Sequence, residues 1–292
     1  MDAVITFVDG QDPLWQQDYH NTTGKPILAK RFRDWGTLKY LLRGIEKNMP
    51  FVRNVYLVVA RESQVPQWAD RNHLKVVLHQ DIIPQKYLPV FNSAAIEMFL
   101  HRIPGLDDRY VYFNDDIFPV MPCSEDDFYS DGRLTTGFSR HIIAGSLFKK
   151  QVRQSDRIAR KAAGLKPSIF FIRPQHICTP MLKQDCYKLS EIAANEIDAS
   201  ISPLRRPCNL NQHLFLNYSF HCGHAISRRI SRKHFSLSVA TPEKIERFLN
   251  APDRKIVCIN DVEMSTEKFE AFRGTLLHCF DKLFPEKSRF EL

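Results

Sequence analysis

The chain has 292 residues and a mass of 34.0 kDa, with 43% hydrophobic and 25% charged residues. That length supports one large or two modest domains with a buried core, and the composition excludes a disordered or fibrous chain. The net charge is +8, from 41 basic and 33 acidic residues; polyphosphate, nucleic acid and anionic surfaces all stay open as partners, and the placement of the charge must discriminate between them.

In chain order, short apolar runs at residues 3–8, 54–60, 74–79, 110–113 and 255–259 read as strands. They are β-branched or aromatic and almost continuously apolar, as strands covered on both faces are. Helical spacing appears between them. Leu38, Leu41, Leu42 and Ile45 recur within residues 37–47, and Ile96, Phe99, Leu100 and Ile103 follow an N-cap at Asn92 or Ser93. Alternation of strand and helix predicts an α/β fold with a largely parallel sheet. Residues 141–250 differ, being basic, punctuated by proline and expected to be mainly helical or irregular. The strand–helix pattern then returns in KIVCIND and the amphipathic stretch 265–284. The expected organisation is therefore an α/β core of residues 1–140 and 251–292 with a basic helical insertion, 141–250.

No stretch approaches the roughly 18–20 apolar residues that cross a bilayer. The segment MDAVITFVDG is acidic where a signal peptide is basic, so the expected compartment is the cytoplasm. Seven scattered cysteines without a CxxC pair predict reduced, mostly buried thiols.

Charge is segregated along the chain. Residues 107–131 hold eight carboxylates and one base, Arg109, whereas residues 199–241 hold six bases and no carboxylate. Residues 146–166 add seven bases against Asp156. An acidic segment facing basic ones suits a divalent cation with a polyphosphate; solvated helix faces and an acidic loop account for the same runs more simply.

Four places could carry chemistry. In YVYFNDDIF a strand ends in Asn114-Asp115-Asp116, where open α/β sheets collect ligands. Adjacent carboxylates there suit hydrated Mg²⁺ or Mn²⁺ carrying phosphates, or else they cap a turn. KIVCINDVE repeats the form with Asn260-Asp261, and TFVDGQDP ends the first strand at Asp9-Gly10, where a left-handed glycine turn is the alternative. Arg31, Arg33, Arg43, Arg205 and Arg206 offer planar forks for phosphate oxygens. His176, in the polar segment RPQHICTP, is an acid/base candidate, and His79 ends the third strand. Cys208, His213, His221, Cys222 and His224 match no familiar zinc spacing. The absence of GxxxxGK[ST], GxGxxG and GxSxG motifs counts against a P-loop NTPase, a dinucleotide dehydrogenase and an α/β-hydrolase.

Taken in order, AVITFVDGQDPLW, RFRDWGTLKYLLRGIEKNMPFV, QVPQW, VVLHQDIIP, LPVFNSAAIEMFLHRIPGL, YFNDDIF, KIVCIND and FPEKSRFE make the chain resemble the Stealth family. These are hexose-1-phosphate transferases that include bacterial capsular-polysaccharide phosphotransferases and the lysosomal-enzyme N-acetylglucosamine-1-phosphotransferase. The third family block departs from pattern: Cys178 stands where the family has a histidine two residues before proline, and His176 lies two residues further back.

The resemblance implies a Rossmann-like, glycosyltransferase-A-like fold, with the core catalytic and the insertion contributing to the active site and acceptor binding. It implies transfer of sugar 1-phosphate from a nucleotide sugar, typically UDP-linked, to an acceptor hydroxyl in capsular or cell-surface polysaccharide synthesis. On that footing Asp115, Asp116, Asn260 and Asp261 would hold Mg²⁺ or Mn²⁺, and Asp9 and Gly10 would contact the nucleoside. Arg33, Arg43, and Arg205 or Arg206 would meet phosphate, Asn92 and Ser93 the sugar or phosphate, and His176, or else Asp116, would take the acceptor proton. A metal-dependent glycosyltransferase using the same donors is the nearest rival. A nucleic-acid binder is disfavoured because the basic segments lack interleaved aromatic residues. The basic segment is also compatible with peripheral contact at an anionic membrane. Oligomeric state is not legible.

Overall fold

The computed structural model describes the backbone of all 292 residues and the side chains of all but Ala29 and Lys30. Its central sheet is built from β1 (Asp2–Thr6), β2 (Val55–Val59), β3 (Leu74–Leu78) and β4 (Arg109–Asn114), four mutually parallel strands in the order β3-β2-β1-β4. This is the order of a Rossmann-like half, with the crevice at strand carboxyl ends. Every residue of β2 is buried, and so are Ala3–Ile5 of β1 and the middle of β4. The continuous apolarity of these runs thus reflects cover on both faces.

Helices α1 (Pro13–Thr23), α2 (Ala29–Phe32) and α3 (Leu38–Asn48) connect the first two strands. α3 buries Leu38, Leu41, Leu42 and Ile45, the residues whose spacing predicted it. A Cβ on its Gly44 would lie 2.8 Å from the Pro119 carbonyl oxygen, so glycine is what lets the segment 117–119 approach the helix this closely. Two short helices, α4 (His79–Ile82) and α5 (Ser93–Glu97), precede β4.

β5 (Ile117–Pro119) follows β4 immediately and leaves the central sheet. Then come β6 (Tyr129–Ser130), β7 (Arg133–Thr136), β8 (Phe138–His141), α6 (Leu147–Ala162), β9 (Phe171–Pro174), β10 (Thr179–Leu182), α7 (Lys183–Ile192), α8 (Ala194–Ser200), α9 (His213–His221), β11 (Ala225–Ser227), β12 (Arg232–Ser236) and α10 (Pro242–Asn250). The chain closes with β13 (Ile256–Asn260) and α11 (Thr266–Leu283).

Two features differ from the sequence expectation. The C-terminal strand does not join the central sheet; β13 sits between β12 and β5 in a second, three-stranded sheet. The basic segment contains strands as well as helices, and β10 pairs antiparallel with β4 as the edge of the central sheet. These strands are three to five residues long and carry proline or charge, as in FIRP, TPML and RKHFS, so neither length nor alternation marked them. All seven cysteines are free; five are buried, Cys222 is half-buried and Cys208 is exposed. Among the described residues, no helix is long and apolar enough to cross a membrane.

Candidate active site

The tips of β1, β4 and β13 open into one cleft of about 590 Å³. Thr6, Phe7 and Val8 line it from the first strand, Asn114, Asp115 and Asp116 from the fourth, and Ile259, Asn260 and Asp261 from the last. The link between sheets explains the convergence. The Asp-Asp turn joins β4 directly to β5, β5 pairs with β13, and the Ile259 N–H donates to the Asp116 carbonyl at 2.9 Å. Thr6 Oγ1 and Tyr112 Oη lie 2.9 Å apart, and Tyr112 donates to Asn114 Oδ1 at 2.7 Å, which fixes Asn114 on the β1–β4 pair.

Carboxylates crowd this end of the cleft. Burial, then the charges of Asp116, Asp34 and Asp261, push the Asp115 carboxyl up to about 7. Burial raises Asp116 to about 6, with Asp261 adding to the effect. Asp34 and Asp261 are also shifted upward, chiefly by burial. One oxygen of Asp116, Oδ1, is buried without a hydrogen-bond partner, while the other accepts from the Cys258 thiol at 3.6 Å. Asp261 is the best neutralised of the four: Arg33 Nε lies 3.1 Å from it, and Trp35 donates to it at 3.2 Å. Phe269 of α11 holds that pair in place, under the Arg33 guanidinium at 4.9 Å and edge-on to Trp35 at 4.7 Å.

The opposite wall is cationic. Arg31, Arg173 and Arg205 line it, and the neighbouring Arg205 charge, after burial, holds Arg31 below its usual range. Arg205 donates to Ser93 Oγ at the start of α5. Glu97, behind it, accepts the Gln212 N–H at 2.8 Å and is pushed up to about 7 by burial, against the pull of that N–H and of Arg205. His176 faces the cleft beside Phe148 and His234, with ring centroids 5.7 and 6.3 Å away. Burial, reinforced by His234, Arg232 and Arg173, depresses it to about 4, so it is neutral at neutral pH. Its Nδ1 is buried and unpartnered. Cys178, two residues on, is fully buried away from the cleft, and its thiol is raised well above the usual range by burial. Of the two positions in the divergent family block, only His176 reaches the site.

Arg31 and His79, noted in the sequence without a role from the resemblance, line the cleft, as do eight of the thirteen residues to which the resemblance gives roles: Arg33, Ser93, Asp115, Asp116, His176, Arg205, Asn260 and Asp261. Five do not. Arg43 is buried in α3, donating to both Glu291 oxygens at 2.8 and 2.7 Å and to the Phe284 carbonyl at 2.9 Å; it pins FPEKSRFE to the core and has no fork left for phosphate. Asn92 is 1% exposed and spends its amide group on the Ala94 N–H, the Ser202 carbonyl and Asn209. It caps α5 and holds the loop carrying Arg205. Arg206 turns aside, its carbonyl accepting from Gln151 at 2.8 Å. Asp9 closes a turn onto the Gln11 N–H at 2.8 Å. Gly10 is not left-handed; a Cβ there would sit 2.3 Å from the Phe32 carbonyl oxygen, so the residue is small to admit α2.

Asp34, Glu97, Arg173, Gln212 and His234 line the cleft without having been marked as site residues. Glu97 carried a usable signal, a carboxylate among Ala94, Ala95 and Ile96. The cysteine–histidine set does not gather: His221 pairs with Asp156 and His224 with Asp185, each at 2.9 Å. Among the described residues, the one trio of such side chains close enough to share an ion is Asp116, His176 and Cys258, with ligand atoms within 4.8 Å of one another.

Comparison with known proteins adds the following. The family model described as Stealth protein CR2, conserved region 2, matches residues 31–136. The receptor polysaccharide phosphotransferase WefC of Streptococcus oralis is 32% identical over 333 aligned positions, covering 100% of this chain and 99% of the relative. The capsular polysaccharide phosphotransferase WcwK of Streptococcus pneumoniae matches equally, 32% with the same coverage. The exopolysaccharide phosphotransferase cps2G of Lactiplantibacillus plantarum is 29% identical, over 100% of this chain and 96% of its own. Among solved structures, the galactosyltransferase LgtC with donor and acceptor sugar analogues is similar at 13% identity and a TM-score of 0.41, over 99% of this chain and 96% of that one.

Proposed function

Because the chain belongs to the Stealth family and is a phosphotransferase like its polysaccharide-building relatives, we propose that it moves hexose 1-phosphate from a nucleotide diphosphate sugar, UDP-linked, to a saccharide hydroxyl. The observation that carries this reading is the one cleft lined both by carboxylates at strand tips and by arginines of α2, β9 and the loop before α9. A sugar diphosphate matches both walls, its anionic oxygens toward Arg31 and Arg205 and the remaining charge requiring a cation at the carboxylates.

By its chemistry the donor set suits a hard divalent ion, although its three carboxylates do not converge as closely as Asp116, His176 and Cys258 do. Asp115, Asp116, Asn260 and Asp261 offer carboxylate and amide oxygens, Asp115 is destabilised by burial and by Asp116, Asp116 by burial and by Asp261, and Asp116 Oδ1 is buried without a partner. Mg²⁺ or Mn²⁺ held there would neutralise that charge and polarise phosphate oxygens. The chain's own groups do the rest. Arg205, anchored on Ser93, meets the charge that grows on the phosphoryl oxygens as the acceptor oxygen bonds to phosphorus and the bond to the nucleoside phosphate breaks. His176, neutral and with Nδ1 free, takes the acceptor hydroxyl proton. Its depressed affinity for protons rises once phosphate charge enters the cleft, bringing it toward the working range. We read the cytoplasm as the compartment of this reaction.

The test is the nucleotide released. Purified protein given a UDP-sugar, Mg²⁺ and an acceptor glycan should yield UMP and a phosphodiester detectable by ³¹P NMR. Release of UDP with no phosphodiester would instead assign a glycosyltransferase.

A further inference from the structure

A second concavity, of about 800 Å³, lies along the other side of α6 from the catalytic cleft. Helix α6 serves both: Phe148 and Gln151 line the cleft, while Lys150, Arg153 and Arg157 line the groove. These three bases, with Lys161, follow one another by three or four residues and are exposed along one helix face. The acidic groups on this groove are already engaged: Asp156 is buried against His221 at 2.9 Å, and Glu196 pairs with Lys161 at 3.0 Å. The stripe therefore presents a net positive surface.

Beside it stands an apolar tip. β8 and β9 are paired up to His141 and Phe171, so Ile142 and Ile143 leave the ladder where Ile169 and Phe170 enter it. Ile143 is 78% exposed, Ile169 72% and Ile142 54%. Among the described residues, five of the eleven exposed large apolar side chains fall between 142 and 170, the others being scattered over the remainder of the chain. Scattered exposed side chains need no explanation, but a cluster edged by bases marks an interaction surface.

We propose that this face docks the protein on an anionic bilayer, with Ile142, Ile143, Ile169 and Phe170 entering the headgroup boundary and Lys150, Arg153 and Arg157 lying against lipid phosphates. Charge selects this occupant: bases ringing an apolar tip complement a negative lipid surface, whereas a nucleic acid would leave the tip in water. Because the same helix ends in the catalytic cleft, docking would bring that cleft to saccharides carried at the membrane. The docking is independent of which sugar phosphate is moved, and its test needs no substrate.

The experiment is co-sedimentation of the full chain with phosphatidylcholine vesicles, with and without phosphatidylglycerol. Binding is expected only with the anionic lipid and should fall as salt is raised. Replacing Lys150, Arg153 and Arg157 together by alanine should weaken it on the order of a hundred-fold, at about five-fold per charge. Ile143→Ser with Ile169→Ser should weaken it by at least about ten-fold at constant net charge. A control of equal charge change, Lys47→Ala with Lys268→Ala and Lys282→Ala, should bind nearly as the parent, and all variants should keep turnover on a dissolved acceptor. The proposal is overturned by equal binding to neutral vesicles or by equal loss in the control. It is equally overturned by retained binding in both groove variants, by capture of duplex DNA without vesicles, or by a dimer that Ile143→Ser disperses.

Discussion

The two walls of the cleft are built differently. The acidic wall rides on strand tips whose backbones are locked by sheet pairing, as where Ile259 donates to Asp116. The basic wall draws on unlike elements, Arg31 on α2, Arg173 on β9 and Arg205 on the loop before α9, the last held by side-chain contacts such as those of Asn92 and Glu97. Like charges can be concentrated only where the frame resists their repulsion, so the carboxylates belong on the sheet.

The sharpest way to break this contrast is to neutralise the rigid wall. Asp116→Asn should lower kcat by about 10³-fold in a protein that stays folded, with a melting temperature no lower than the parent's, because a destabilising carboxylate has been removed. Near-parental turnover would detach the acidic wall from the chemistry. The two adjacent arginines, Arg205 and Arg206, should separate. Arg205→Ala should reduce kcat/KM by about 10²-fold, losing a charge-assisted contact, while Arg206→Ala should stay within about two-fold, since Arg206 is outside the cleft.

Stability should divide in the opposite sense. Arg43→Ala leaves Glu291 buried without its partner, a loss of about 3–5 kcal/mol in unfolding free energy, and the double replacement Arg43→Met with Glu291→Met should recover much of it. The smallest effect belongs to Glu97. Its folded-state pKa is raised, so its favourable contribution is complete below the ordinary carboxylate range and is lost as pH rises through about 7. Glu97→Gln, whose amide oxygen can still accept the Gln212 N–H, should therefore raise the melting temperature at pH 8. That advantage should shrink steadily toward pH 4.5; a constant offset would place the Glu97 charge elsewhere.

The sequence was most legible where physics is local. The four parallel strands and α3 follow from runs and spacings that burial on two faces or one requires, and the Asn-Asp tips were visible as polar dipeptides ending buried strands, where a turn cap reads the same. What the sequence could not express was partnership across distance. Nothing local distinguishes an arginine clamped by Glu291 from one lining the cleft, as Arg43 and Arg205 show. Gly10 read as a turn residue because the carbonyl that excludes its Cβ comes from Phe32, 22 positions away. The short strands of the basic segment owe their pairing to β4 and β13 rather than to their own composition.

The account rests on carboxylates and arginines sharing one diphosphate through a cation. Calorimetric titration with UDP as the probe tests this directly. Binding should require Mg²⁺ or Mn²⁺, vanish with EDTA, and be lost in both Asp116→Asn and Arg205→Ala; UDP bound equally well without metal, and undiminished in Asp116→Asn, would contradict it.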